Sequence, residues 1–156
     1  MLISTLRARK KGRRGLEQEG LGRSCGVLSS KIHALVDSEG NPIEVRVTQG
    51  AAHEMTQAEA LLSDRTAQYV LADKGYDSDA LRATVQAKGA IPVIPGRSSR
   101  KILPEYGKER YKHRNLVERF FNKIKQFRRI ATRYEKALVS FMSMIHLSTS
   151  VILMRC

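Results

Sequence analysis

From residue 31 onward the chain alternates short apolar runs of strand length with longer runs of helical period. This alternation restricts it to a mixed sheet covered by helices. Ile32, Ala34 and Val36 alternate with Lys31, His33 and Leu35. The turn-forming DSEGNP follows, and then Ile43, Val45 and Val47 alternate with Glu44, Arg46 and Thr48. That pattern predicts a β-hairpin over 31–48. Gln49 to Glu54 reads as a loop, and Met55 to Ser63 as a helix with Ala58, Leu61 and Leu62 inward. YVLA (Tyr69 to Ala72) is a short strand ending at Asp73. Asp77 or Ser78 can cap a helix through Lys88, with Leu81, Val85 and Ala87 inward and Gly89 as its stop. Ile91 to Ile94 is a further strand, which Pro92 assigns to a sheet edge. A basic loop over 95–105, one long helix from Tyr106 to Arg129 and a last helix from Ala137 to Met154 complete the order ββαβαβαα. A mixed α/β sheet with helices on both faces is the expected architecture.

Residues 1–30 lack this alternation. RARKKGRRGLEQEGLGRSCG is glycine-rich and basic and reads as mostly irregular. Met1 to Leu6 could form a short strand, which would add one more strand at the start of that order. The chain is therefore divided into a basic segment, 1–30, and a folded domain, 31–156.

The 156 residues suffice for one domain with a real core. The net charge of +13 is unevenly spread. Residues 1–31 hold 8 Lys/Arg and 2 Asp/Glu, residues 32–96 hold 5 and 9, and residues 97–156 hold 15 and 4. Basic ends around an acidic middle suit a polyanion partner and an acidic working site. Cys25 and Cys156 are too few and too far apart for a disulfide or metal framework. The basic N-terminus has no apolar run after it, so no signal peptide is expected. Ala137 to Met154 lacks formal charge, but four serines, Thr149 and His146 make it a poor membrane span. A packed helix and a cytoplasmic location are expected.

Two motifs carry chemistry. In YKHRNLVERFFNKIKQFRR a single acid, Glu118, stands among many bases. At about 100° per residue, Arg114, Glu118 and Lys125 lie about 300°, 340° and 320° around from Tyr111. Leu116, Val117, Phe120, Phe121, Ile124 and Phe127 form the apolar face beside that stripe. Glu118 is either a metal ligand beside a nucleic-acid backbone or a solvated residue with i±4 partners. The second motif is LADKGYDSD, residues 71–79. It delivers Asp73 at the C-terminal end of a strand, where open α/β sheets bind ligands, and Gly75 allows a tight turn directly after it. Asp77 and Asp79 read as simple capping residues, whereas Asp73 is not needed as a cap. Asp73 and Glu118 together could hold Mg²⁺ or Mn²⁺ at a phosphodiester. Arg114, Lys125, Arg128 and Arg129 would contact phosphates, and Tyr111 would bond a phosphate or stack on a base.

LADKGYDSDALR and YKHRNLVERFFNKIKQFRRIATRYEK resemble the DDE-domain transposases of bacterial insertion sequences, in the insertion-sequence-four and -five groups. Tyr111, Arg114, Glu118 and Lys125 match that family's Tyr-x2-Arg-x3-Glu-x6-Lys signature without a gap. GRSCGVLSSKIHALVDSEGNPIEVRVTQGAAHE is similar to the family's upstream segment, so the resemblance spans about residues 20–153. It implies a ribonuclease-H-like fold, two Mg²⁺ ions, cut-and-paste strand transfer on double-stranded DNA (transposon ends and target), and a homodimer acting on paired ends. It makes Asp73 the second acid of the triad and Glu118 the third, with Tyr111, Arg114 and Lys125 as signature residues.

The first acid is missing from this pattern. The family's first strand carries a stretch like Met-Ile-Asp-Ser-Thr, and here Met1-Leu2-Ile3-Ser4-Thr5 puts Ile3 where the aspartate should stand. Asp37, the first Asp in the chain, lies in the hairpin turn and does not suit the role; Glu17 and Glu19 fall in the loose basic segment. The chain alone is therefore expected to be inactive or severely impaired. It would be a decayed copy, or a downstream frame completed by an upstream-frame product that supplies the first acid and reads the element ends. A non-catalytic DNA-binding remnant and a metal-dependent nuclease are the competing readings. Cys25, where the family has a base, reads as drift; His33 and His53 are either near the site or structural.

Overall fold

The computed structural model describes residues 1–10, 22–24, 27–50, 52, 55–135 and 137–154. Among these the strands are β1 (Leu2–Lys10), β2 (Gly22–Ser24), β3 (Val27–Val36), β4 (Pro42–Gln49), β5 (Tyr69–Ala72), β6 (Ile91–Val93) and β7 (Thr132–Arg133). The helices are α1 (Met55–Leu62), α2 (Asp79–Ala87), α3 (Lys108–Tyr111), α4 (Asn115–Lys125), α5 (Arg128–Ala131) and α6 (Leu138–Leu153). The seven strands form one mixed sheet in the order β2-β3-β1-β5-β6, with β4 also on β3 and β7 on β1.

β1 corrects the expectation of a mostly irregular segment over 1–30. It lies at the middle of the sheet, antiparallel to β3 from Leu2↔Val36 to Arg9↔Ser29 and parallel to β5 through Leu2↔Leu71 and Ile3↔Ala72. β2 and the first residues of β3 are strands as well. Arg7, Arg9 and Lys10 disguise β1 in the sequence, because basic residues carry no strand propensity of their own. Pairing on both sides supplies what propensity does not.

The sheet separates two apolar layers, as the strand period of two requires. Leu2 and Ala8 of β1, Ile32, Ala34 and Val36 of β3, and Leu71 of β5 face Val117, Phe120, Phe121 and Ile124 of α4, Ile130, and Phe141, Ile145 and Ile152 of α6. Ile3, Leu35, Val70 and Ala72 face the other way, toward Ala58, Leu61 and Leu62 of α1 and Leu81 and Val85 of α2. Ala87 is exposed rather than inward. No helix among the described residues is long and apolar enough to cross a membrane.

Local chemistry accounts for the boundaries. In the hairpin turn the Asp37 carboxylate accepts from the Glu39 and Asn41 amides at 2.8 and 2.9 Å. Ser78 caps α2 by accepting from the Leu81 amide at 3.1 Å. Gly89, at φ 74°, ends that helix in a conformation other residues resist. β6 is an edge strand, as Pro92 demands.

The expected long helix from Tyr106 to Arg129 is several pieces. α3 passes through a 3₁₀ turn, Lys112–Arg114, into α4, and the chain leaves the helical region at Phe127, ψ 94°. A straight helix would place Ile130 about 130° from the centre of the α4 apolar face. The break turns Ile130 back into the core, where it is fully buried. β7, which the sequence pattern does not reveal, follows directly and pairs with the far end of β1. On it Arg133 is fully buried; its guanidinium bonds the Ser30 hydroxyl at 2.5 Å and the Glu135 carbonyl at 3.0 Å, and stacks 4.7 Å from the Phe141 ring centroid.

Candidate active site

β5 ends at Ala72 and hands the chain to a 3₁₀ turn, Lys74–Tyr76, with Asp73 as its cap. The Asp73 carboxylate accepts from the Lys74 amide at 2.7 Å, and its carbonyl accepts from the Tyr76 amide at 2.8 Å. Asp73 thus does serve as a cap, contrary to the sequence reading. Gly75 is not among the positive-φ glycines of the described residues, so the turn does not depend on glycine's conformational freedom.

Across from Asp73, α4 presents the basic stripe. A cleft of about 380 Å³ is lined by Asp73, Glu118, Arg114, Lys125, Asn122 and Ser4, with Thr5, Leu6 and Phe121. Two acids 45 residues apart in sequence, one at a strand end and one on a helix, therefore share one opening with two bases. Arg114 donates to Glu118 at 2.5 Å, one helical turn away. Glu118 is exposed and has the i,i+4 partner that the solvated reading expects, and it also lines the cleft. Side chains three apart eclipse in a 3₁₀ turn, and the Arg114 guanidinium lies 5.6 Å from the Tyr111 ring centroid. Tyr111 is half-buried and packs edge-on against Tyr106 at 5.5 Å. Burial raises its phenol pKa, Arg114 opposes this, and the negative charges of Asp73 and Glu118 add to the rise. Tyr111 is a neutral hydrogen-bond donor at pH 7.

Arg128 and Arg129 do not line the cleft. They sit beyond the Phe127 break on α5, exposed, and Arg129 pairs with Glu135 at 3.0 Å.

The resemblance implies divalent metal ions at this cleft. Such ions need about six oxygen ligands, and fixed placement needs several of them from the protein. The cleft offers two carboxylates, one engaged by Arg114 and the other by the Lys74 amide. No group of three or more His, Cys, Asp or Glu side chains among the described residues could hold a metal. As it stands, the set does not fit a defined ion site.

Two polar clusters hold the Asp73 turn, and the sequence reading missed the first. Asp77, read as a cap, has a fully buried side chain. Arg82 reaches it at 2.8 Å, Arg100 at 2.5 Å and the Arg97 amide at 2.9 Å. Arg97 also bonds the Gly75 carbonyl at 2.6 Å. Burial alone would push the Asp77 pKa up; Arg100, the Arg97 amide and Arg82 outweigh it and hold it at about 2. The network fastens the 95–105 loop to the turn. The only sequence signal was the loop's surplus of arginine facing an acidic turn.

The second cluster lies beneath β1. The Tyr76 hydroxyl meets the Thr5 hydroxyl at 2.5 Å and His33 Nδ1 at 3.2 Å, and His33 Nε2 meets the Thr48 hydroxyl at 2.8 Å. Burial, and secondarily Lys31, lowers the His33 pKa to about 4. His33 is a neutral structural residue in contact with the turn that carries Asp73. Cys25, Cys156 and His53 lie outside the described residues.

The family comparison agrees with this arrangement. A model described as "Transposase DDE domain" matches residues 4–153. The chain is 41% identical, over 133 residues, to a protein of Brucella ovis named as a transposase for insertion sequence element IS6501. That match covers 82% of this chain and 100% of the relative. It is 29% identical over 119 residues to a Burkholderia cepacia protein named as a transposase for insertion sequence element IS402; there the match covers 69% of this chain and 54% of the relative. With its family match running from β1 to the end of α6, and two acids of the expected triad in one cleft, this chain belongs to the transposase DDE domain family.

Proposed function

We propose that the protein acts in DNA transposition, on the ends of an insertion sequence and its target. The observation that carries this reading is the cleft shared by Asp73, Glu118, Arg114 and Lys125. Lys125 and Arg114 would hold backbone phosphates, and neutral Tyr111 beside them would donate a further hydrogen bond. Arg128 and Arg129 extend the cationic surface along the chain from Lys125. The order β4-β3-β1-β5-β6, with β1 antiparallel to β3 and parallel to β5, supports a ribonuclease-H-like arrangement.

The family generally uses divalent metal ions. Because the donor set here falls short, the chain's own strand-transfer activity is severely impaired, and a partner supplying a first acid, or a loss of function, follows from that. A strand-transfer assay with matched element ends and Mg²⁺ or Mn²⁺ tests it: the expected outcome is little or no joined product, and robust turnover overturns the impairment. DNA binding is expected to weaken steeply with salt, by about 0.9 log unit per log unit of salt for each phosphate contact. A flat salt response counts against the basic C-terminal third as the binding face.

A further inference from the structure

We infer that the shortfall of this cleft as a cation site is confined to one side chain, and that the side chain is Ser4 rather than Ile3. This rests on reading the Asp73–Glu118 cleft as the working site. The resemblance sets Ile3 opposite the family's aspartate, but in this fold Ile3 does not face the cleft. Ile3 is fully buried in the layer formed with α1 and α2, on the face of the sheet away from Glu118. Its even-numbered neighbours Leu2 and Ala8 pack on the α4 side. Strand alternation therefore turns Ser4 toward α4, and Ser4 lines the cleft with Asp73 and Glu118.

The register fixes its height. Ile3 pairs with Ala72 across the parallel β1–β5 ladder, so Ser4 stands beside Asp73, one step further along. Ser4 is on the central strand, paired with Ala34 on its other side. A carboxylate there would start from a rigid backbone and join two others.

Charge supports the same conclusion. Asp73 and Glu118 are balanced in the cleft by Arg114 and Lys125, so the opening carries no net formal charge. A third carboxylate makes it net negative, which favours a bound cation. Thr5 also borders the cleft, but its hydroxyl is turned to Tyr76 and His33 on the other face of the sheet.

The test measures Mn²⁺ binding to the full chain by calorimetry, in the unsubstituted protein and in Ser4→Asp, Ile3→Asp and Ser4→Asp/Glu118→Gln. Loss of even an outer-shell partner costs metal sites about 10–100-fold in affinity. Ser4→Asp is therefore expected to bind at least about tenfold more tightly than the unsubstituted chain. Glu118→Gln should cancel the gain, and Ile3→Asp should give none while burying an unpaired carboxylate. Ser4→Cys, nearly isosteric with serine, keeps the question decidable if Ser4→Asp does not fold. It should bind Cd²⁺ with a new thiolate-to-metal absorption that disappears in the Glu118→Gln background. Folded Ser4 variants with no gain, or a gain at Ile3→Asp, overturn the inference. Salt-dependent DNA binding by the unsubstituted chain separates the two ideas: if it persists while Ser4→Asp fails, only this inference falls; if it is absent, the functional reading falls.

Discussion

Asp73 and Asp77 stand four residues apart and cap opposite ends of the same 3₁₀ turn, yet the protein treats them as opposites. Asp73 is partly exposed in the cleft, with one amide on its carboxylate. Asp77 is buried, held by Arg82, Arg100 and the Arg97 amide, and its pKa sits at about 2. The lesson is a division of labour. A saturated acid fixes the turn, and the turn can then carry an unsaturated acid that remains available to a ligand. Rigid support behind an acid that still has room for a ligand is what a positioned site needs.

The largest break in this comparison is Asp77→Ala. Removing one partner of a buried ionic network leaves arginine charge unpaired, at a cost of about 3–5 kcal/mol. Urea unfolding should show it, and the 95–105 loop should become more open to proteolysis. A loss under about 1 kcal/mol would mean that the network does not hold the turn.

Acid titration should expose both clusters in separate windows. The folded pKa of His33 lies below its ordinary 6.5, at about 4. The stability it contributes is complete above about 6.5 and is lost as pH falls toward about 4, amounting to about 3 kcal/mol at about 1.4 kcal/mol per unit. The Asp77 contribution is complete above about 4 and is lost as pH falls toward about 2. Thermal melts across about pH 2–8 should therefore decline in two limbs, and His33→Gln should flatten the upper one only.

Tyr76→Phe probes the cluster under β1 more gently. It strips the hydroxyl from Thr5 and His33 and should cost about 1–3 kcal/mol in denaturant unfolding. Asp73→Asn is the smallest change expected. Asparagine still accepts from the Lys74 amide, so stability should stay within about 0.5 kcal/mol. A large loss there would erase the contrast between the two acids.

Much of this was legible in the chain. The hairpin, the YVLA strand, the Ser78 cap and the edge strand with Pro92 are set by neighbours a few residues apart. The apolar face of α4 is legible for the same reason, because Val117, Phe120, Phe121 and Ile124 repeat at helical spacing. The pairing of Asp73 with Glu118 was read from a strand-end acid and a lone acid in a basic helix, and from the family resemblance; the two line one cleft.

What was not legible depends on partners distant in sequence. β1 is basic, and its place at the sheet centre comes from β3 and β5, about 30 and 70 residues away. The break at Phe127 exists because Ile130 must reach a core that a straight helix would turn it from. Asp77 looks like any capping aspartate until the 95–105 loop brings Arg97 and Arg100 to it. Sequence by itself determined the hairpin, the YVLA strand, the start of α2 and the family, and singled out the two acids, because periodicity, capping and motif spacing are local. The tertiary structure alone decided that Ser4 rather than Ile3 faces those acids, because the face a strand residue occupies is set by register across the sheet.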